Sequence, residues 1–238
     1  MGMTNSANPS SAPFIILSGN IGAGKTTLTH KIGQELGLWS HFESVNNNPY
    51  LEDFYKDMPR WSFPLQVYFL NHRFKTHRSI ISMTAGAIQD RSIYEDANIF
   101  ALALKQQGQM SERDYDTYLA LYRSMTQFLR PPHLMIYLKR SVDGLMERIA
   151  LRGREYEKSI PREYLKHLGI LYDQWVESYD FGPKLIIETD GKDFLENKND
   201  WNLLVKLVKD HLNIQTRYES ASNLTGSAYH ENKTLWFQ

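Results

Sequence analysis

"GNIGAGKTTL", residues 19–28, decides how this chain is read. Gly19, the four residues Asn20, Ile21, Gly22 and Ala23, then Gly24, Lys25 and Thr26 satisfy the Walker A spacing in full, and Thr27 carries the chain onward. The context agrees. The apolar run "FIILS" in front reads as a buried strand, and Thr26 to Leu36 reads as a helix stopped at Gly37. Gly22 and Gly24 let the backbone wrap closely enough for its N–H groups to point at phosphate oxygens. The helix start adds its dipole and its unpaired donors. In this setting Lys25 is expected to bridge the outer phosphates and the Thr26 hydroxyl to hold a magnesium ion. The loop implies a bound nucleotide phosphate. It leaves open whether the nucleotide is hydrolysed, sensed or used as a donor.

Outward from the loop, "HFESV", "AIQDRS", "HLMIYL" and "KLIIET" read as four further strands, each separated from the next by helical patterns. That alternation is expected of an α/β fold with a five-stranded parallel sheet flanked by helices on both faces. The spacing of Trp61, Phe63, Val67, Leu70 and Phe74 predicts a long helix from Arg60 to about Thr84, with Pro64 in its first turn. Further helices are predicted over Ser111–Leu129, Ser141–Leu151, Pro161–Tyr179 and Asn199–Leu212. Residues 1–12 read as a disordered N-terminal segment and 13–212 as the folded domain. Residues 213–238 read as a polar tail that nevertheless carries Tyr218, Tyr229, Trp236 and Phe237.

The 238 residues are 42% hydrophobic with zero formal net charge, the balance of one globular domain with a real core. Neutrality gives no general pull toward nucleic acid or an anionic membrane. No stretch is apolar enough to span a bilayer. The absence of cysteine excludes disulfides and thiolate metal sites. Together with the lack of a basic-then-apolar leader in "MGMTNSANPSSAP", it points to a cytoplasmic home.

Three segments narrow the phosphate chemistry: "HFESVNNNPYLEDFYKDMPRWSFPLQVYFLNHRF", "DRSIYED" and "LRGREYEKSIPREYL". In this order behind a Walker A loop they resemble the deoxynucleoside kinase family, in particular its bacterial deoxyadenosine kinase branch. The likeness runs from about Phe14 to about Leu212. It implies a P-loop kinase with an Arg-rich lid at about 152–160, ATP as phosphate donor, Mg2+, and a small-molecule deoxynucleoside as acceptor. It also implies a homodimer and feedback inhibition by the deoxynucleoside triphosphate product.

The residues make physical sense for that task, which needs a base near a sugar hydroxyl, cations on the moving phosphoryl group, and a metal. Glu43 sits at the carboxyl end of a predicted strand, where open parallel sheets place their ligand crevice. By resemblance it takes the proton of the 5'-hydroxyl, although Ser44 stands where the family usually has proline. Alone, Glu43 would read as a solvated loop carboxylate. Arg91 has the bidentate reach to hold hydroxyl and phosphoryl oxygens, and Asp90 is the acid expected at magnesium. A buried structural Arg–Asp pair is the competing account of those two. Arg148 and Arg152 share a helix face and Arg154 follows Gly153, so the three are expected to close over a triphosphate and exclude water. Cations at a helix end also suit the dipole without any ligand.

For the acceptor, Gln66 and Arg73 lie two turns apart on the long helix and interrupt an apolar stripe. Gln66 suits the edge of a heterocycle, and Asp96 is placed to orient Arg73. The family's matching residues contact the base. The plain alternatives are a Gln66 that serves backbone and an Asp96 that caps a helix beginning near Ala97. Tyr55 and Glu157 match the family pair that holds the 3'-hydroxyl. Trp61 and Phe63 are candidates for stacking on the base, or ordinary core. An Asp–Arg–Gln set suits an amine-bearing base such as adenine or cytosine; the resemblance to deoxyadenosine kinases implies 2'-deoxyadenosine first, with deoxyguanosine and deoxycytidine behind it.

Three other classes fit less well. A nucleoside monophosphate kinase would need extra arginines where Tyr55, Gln66 and Glu157 stand. The guanine-reading pattern of a GTPase switch appears only as "NKND" at 197–200, which reads as a helix start. A non-catalytic nucleotide-binding module has no use for Glu43 beside Arg91. For the tail two readings stay open: Trp236 and Phe237 docking on a neighbouring subunit to build a tetramer, or the remnant of an expression tag.

Overall fold

Five strands, all parallel, form one sheet in the order β2-β3-β1-β4-β5. The computed structural model describes residues 12–42, 48–154, 157 and 160–225, with side chains through 212. Glu43, Ser44, the N-terminal segment up to residue 11, and Trp236 and Phe237 therefore lie outside the described residues.

β1 (Phe14–Gly19) is central and buried on both faces, which is why its sequence is apolar without a break. Its side chains alternate between two cores. Phe14 and Ile16 face the cluster that contains Leu70, Tyr118, Tyr172 and Trp175. Ile15 and Leu17 face the cluster of Leu28, Ile32, Leu145, Ile149 and Leu204. α1 (Lys25–Leu36) follows and ends at Gly37, whose φ of 65° and N–H to the Gly33 carbonyl make a left-handed stop.

β2 is Trp39–His41, shorter and earlier than the expected "HFESV". It is an edge strand paired only with β3, so half-exposed residues suffice and no apolar run marks it. After α2 (Leu51–Lys56) comes α3 (Met58–Ile81), capped by Asp57, whose side chain accepts from the Arg60 N–H. The helix starts two residues before the expected Arg60, so Pro64 lies in its second turn.

β3 (Ala87–Asp90) leads into α4 (Ile93–Glu95), a π-helical stretch over Asp96–Ala101, and α5 (Leu102–Gln106). The expected helix start near Ala97 is thus wrong by four residues: Ser92 caps it and Asp96 is inside. α6 (Glu112–Thr126), β4 (Leu134–Lys139), α7 (Val142–Arg152), α8 (Arg162–Ser178) and β5 (Lys184–Glu188) fall where the patterns put them. α9 runs Lys198–Thr225, well past the expected end at Leu212, so the boundary drawn at 213 falls within a helix. At its start the Asn197 side chain accepts from the N–H groups of Asn199 and Asp200, so "NKND" is a cap.

His77 of α3 is fully buried against Phe14 and Tyr94, with one ring nitrogen on the Arg130 carbonyl. Burial pushes its pKa down to about 4, outweighing the upward pull of that carbonyl. The unfolded chain therefore takes up a proton below about pH 6.5 that the folded chain refuses, and stability falls as pH drops from there toward 4. The full effect is about 3 kcal/mol. His77→Gln, which can still donate to Arg130, is expected to flatten this part of a Tm-against-pH curve; an unchanged slope would remove His77 from the account.

Candidate active site

Because every strand is parallel, the loop after β1 and the turn after β3 emerge at the same edge of the sheet. Register pairs Leu17 with Asp90, and the Arg91 N–H continues the ladder to the Leu17 carbonyl at 2.9 Å. The phosphate loop itself is wedged against α7: a Cβ on Gly22, at φ 85°, would meet the Leu145 carbonyl at 2.8 Å. Asn20 anchors it from below, its amide donating to the Leu165 carbonyl at 2.8 Å and its oxygen accepting from the Ile21 N–H. Lys25 is buried and donates to the carbonyls of Gly19 and Asn20 at 2.8 and 2.9 Å, which holds the amine over the loop.

One cavity of about 510 Å3 runs from this loop to α2 and α3. Lys25, Thr26, Asp90 and Arg91 line one end, Gln66, Arg73 and Asp96 another, and Tyr55, Arg152, Arg154 and Glu157 the rim. Nine side chains singled out in the sequence for phosphate, metal or acceptor, together with the lid pair Arg152 and Arg154, thus share one enclosure. A purine nucleoside fits a space of this size.

The chemistry is local at each end. The Thr26 hydroxyl donates to Asp90 Oδ2 at 2.5 Å. That pairing of hydroxyl and carboxylate suits a hard divalent cation. No cluster of three metal-ligating His, Asp or Glu side chains occurs among the described residues, so a closed protein cage is not formed there. Arg91 has φ 65°, a left-handed conformation rarely taken by a bulky residue. Its guanidinium lies over the Phe100 ring at 4.4 Å and donates to the Tyr172 hydroxyl at 3.1 Å. At the acceptor end Arg73 and Asp96 form a buried ion pair, so Asp96 orients the guanidinium instead of capping a helix. The Phe69 ring covers Arg73 at 4.8 Å. Gln66 is buried, and its Oε1 has no hydrogen-bond partner among the described residues. A buried acceptor left in this state favours a ligand N–H.

At the rim Glu157 is clasped by Arg152, through both Nε and Nη2, and by Arg154 at 3.3 Å. Arg148 does not join the cavity. Its Nη1 lies 3.2 Å from the position of a Cβ on Gly24, in a small cleft with Thr27, Thr189 and Phe194 on the other side of the loop. Trp61 and Phe63 do not reach the cavity either. Trp61 packs on Tyr50 and Arg60, and Phe63 fills the space between two core clusters.

Of the rings that do line it, Phe54, Phe69, Phe100 and Tyr164 were not singled out from sequence. Phe69 was accessible, being three residues from Gln66 and four from Arg73 on one helix face. Glu95 was missed as well, although "SIYE" matches a capping box, and that box is formed.

Sheet order, glycine loop and cavity together define a P-loop kinase fold. The chain belongs to the deoxynucleoside kinase family, whose model matches residues 15–213. It is 40% identical over 188 residues to a deoxyadenosine/deoxycytidine kinase of Bacillus subtilis, spanning 78% of this chain and 87% of that one. To a deoxyadenosine kinase of Dictyostelium discoideum it is 45% identical over 163 residues, 68% of this chain and 66% of the relative. To a deoxyguanosine kinase of Lactobacillus acidophilus it is 37% identical over 207 residues, 83% and 90% of the two chains. Among solved structures, deoxyadenosine kinase from M. mycoides with products dCMP and a flexible dCDP bound superposes with a TM-score of 0.72 at 30% identity. That match covers 84% of this chain and 98% of the other. The same enzyme with bound dATP gives 0.71 at 28% identity, over 84% and 99%. No described helix is long and apolar enough to cross a membrane.

Proposed function

We propose that this chain transfers the γ-phosphoryl group of ATP to the 5'-hydroxyl of 2'-deoxyadenosine. The observation that carries the proposal is the single cavity in which Lys25, Thr26, Asp90 and Arg91 face Gln66, Arg73 and Asp96. In the proposed step the 5'-oxygen bonds to the γ-phosphorus, the bond to the β,γ-bridging oxygen breaks, and ADP leaves. Glu43 receives the hydroxyl proton. Lys25 and Arg91 hold the phosphoryl oxygens as charge shifts toward the leaving group. Thr26 and Asp90 would hold Mg2+, which supplies charge neutralisation between the outer phosphates. Arg152 and Arg154 exclude water at the rim. Tyr55 and Glu157 receive the 3'-hydroxyl. A homodimer in the cytoplasm, serving purine salvage, belongs to the same reading.

The base follows from donor and acceptor placement. Gln66 Oε1 is an acceptor with no partner among the described residues, so the base edge that meets it is best an exocyclic amine. Adenine and cytosine carry that amine at the corresponding edge, and the cavity has room for the purine. Deoxycytidine is the second reading, favoured by the same oxygen; a 6-oxo purine presents a lone pair there. Initial rates for deoxyadenosine, deoxycytidine, deoxyguanosine and thymidine at saturating ATP test this. Deoxyadenosine is expected to have the highest kcat/KM and thymidine the lowest. Asp96→Ala frees the Arg73 guanidinium and is expected to cost deoxyadenosine at least tenfold while improving the relative standing of deoxyguanosine. No transfer to any of the four would sink the proposal, and an unaltered ranking in the variant would sink the base pocket.

A further inference from the structure

Glu95 lies beneath the phosphate loop with no exposed surface, and the reading above gives it no task. A buried carboxylate is costly unless its oxygens are well supplied with donors. Here they are. Oε2 accepts from the Ser92 N–H at 2.8 Å, the Ser18 hydroxyl at 3.0 Å and the Ser92 hydroxyl at 3.2 Å. Oε1 accepts from the Tyr172 hydroxyl at 2.8 Å and the Gly19 N–H at 3.4 Å, and lies 3.9 Å from Arg91 Nη1. A capping box needs only the contacts to Ser92. The remaining donors come from β1, from the first residue of the phosphate loop, and from α8, the helix that follows the lid. Tyr172 passes the connection on, because the same hydroxyl that donates to Glu95 accepts from Arg91 Nη1 at 3.1 Å.

We propose that Glu95 is a positioning residue that ties the entrance of the phosphate loop at Gly19 to the Arg91 guanidinium, through Tyr172, so that donor phosphates and the transferring group are held in one frame. It touches neither substrate. The left-handed backbone of Arg91 sets the direction of its side chain, and the Phe100 ring supports the flat face of the guanidinium. A second point on the guanidinium edge, the Tyr172 hydroxyl, fixes rotation in the plane. The inference rests on the kinase reading for its kinetic consequence but not for its effect on the loop.

Glu95→Gln keeps the volume and places an amide donor against groups that already donate, with no acceptor to replace the lost oxygen. It is expected to lower kcat at least tenfold with the deoxynucleoside KM within about twofold, and to weaken ATP binding in calorimetry by about fivefold or more. Tyr172→Phe, which leaves every bond of the capping box in place, is expected to lower kcat in the same direction. The double variant should cost less than the product of the two, since both break one connection. A Glu95→Gln protein with an intact melting transition, normal ATP affinity and normal kcat overturns the inference. So does a fall in kcat that vanishes when rates are scaled to the folded fraction. Should Glu95→Gln fail to fold, Tyr172→Phe decides, and unchanged kcat there is fatal. If the wild type transfers phosphate to no nucleoside, the kinase reading fails instead, and the ATP affinity of Glu95→Gln still decides whether Glu95 holds the loop.

Discussion

Lys25→Met is expected to lower kcat by about 10²–10³-fold, the usual loss when one donor to a developing charge is removed. The substitution keeps the length of the side chain and discards the cation. Lys25 lies buried over the loop, 2.8 Å from the Gly19 carbonyl and 2.9 Å from that of Asn20, which under the proposed reading holds its amine for the outer phosphates. Those carbonyls belong to backbone already fixed by Asn20 and by the packing of Gly22 on α7, so the loop should keep its shape without the amine. The variant should melt near the wild-type temperature and retain deoxynucleoside affinity. Rapid-quench measurement of ADP formation separates chemistry from binding. A loss confined to the KM of ATP, with chemistry unchanged, would restrict Lys25 to ground-state binding.

Glu43→Gln carries a still larger expected effect, a fall in kcat of about 10²–10⁴-fold with deoxynucleoside affinity nearly intact. Glu43 lies outside the described residues, and its role is the one the resemblance to the deoxynucleoside kinase family implies. The described neighbours nonetheless frame the expectation. β2 ends at His41, paired with Gln89, one residue short of Asp90, so the chain leaves the sheet beside the turn that carries Asp90 and Arg91. Glutamine retains the hydrogen bond to the sugar hydroxyl but cannot take its proton. A pH–rate profile adds a second readout: the acidic limb of kcat/KM should disappear in the variant. Wild-type turnover would mean that another group, or water, accepts the proton.

The loop, its strand and its helix were legible because phosphate binding constrains backbone, and backbone constraints are written as glycines at fixed spacing. Gln66 and Arg73 stood out for a different reason: each is a polar residue in an apolar pattern, and burial requires such residues to meet one another or a ligand. The edge strand β2 was placed too late because an edge needs little apolar surface, and the apolar Phe42 mimics a strand beyond His41. α9 was cut short because polar composition was read as its end, although a helix tolerates polar residues on every exposed face. The clasp of Glu157 by Arg152 and Arg154 was not legible as such, since each of the three had been assigned to a ligand. Likewise nothing in "DANIFA" announces a π-helical stretch, which depends on how α3, α6 and α8 pack around it.

That widened turn has a practical corollary. Asp96 and Phe100 both lie within it, one pairing with Arg73 and the other supporting Arg91, so the acceptor half and the phosphoryl half of the cavity are phased against each other by a departure from regular pitch. Removing one residue between 97 and 101 would change that phasing. The carboxylate and the ring would then no longer serve the same chamber. Efforts to retune the nucleoside preference of this enzyme should leave the length of that segment alone, and keep Asp96 and Phe100 within it.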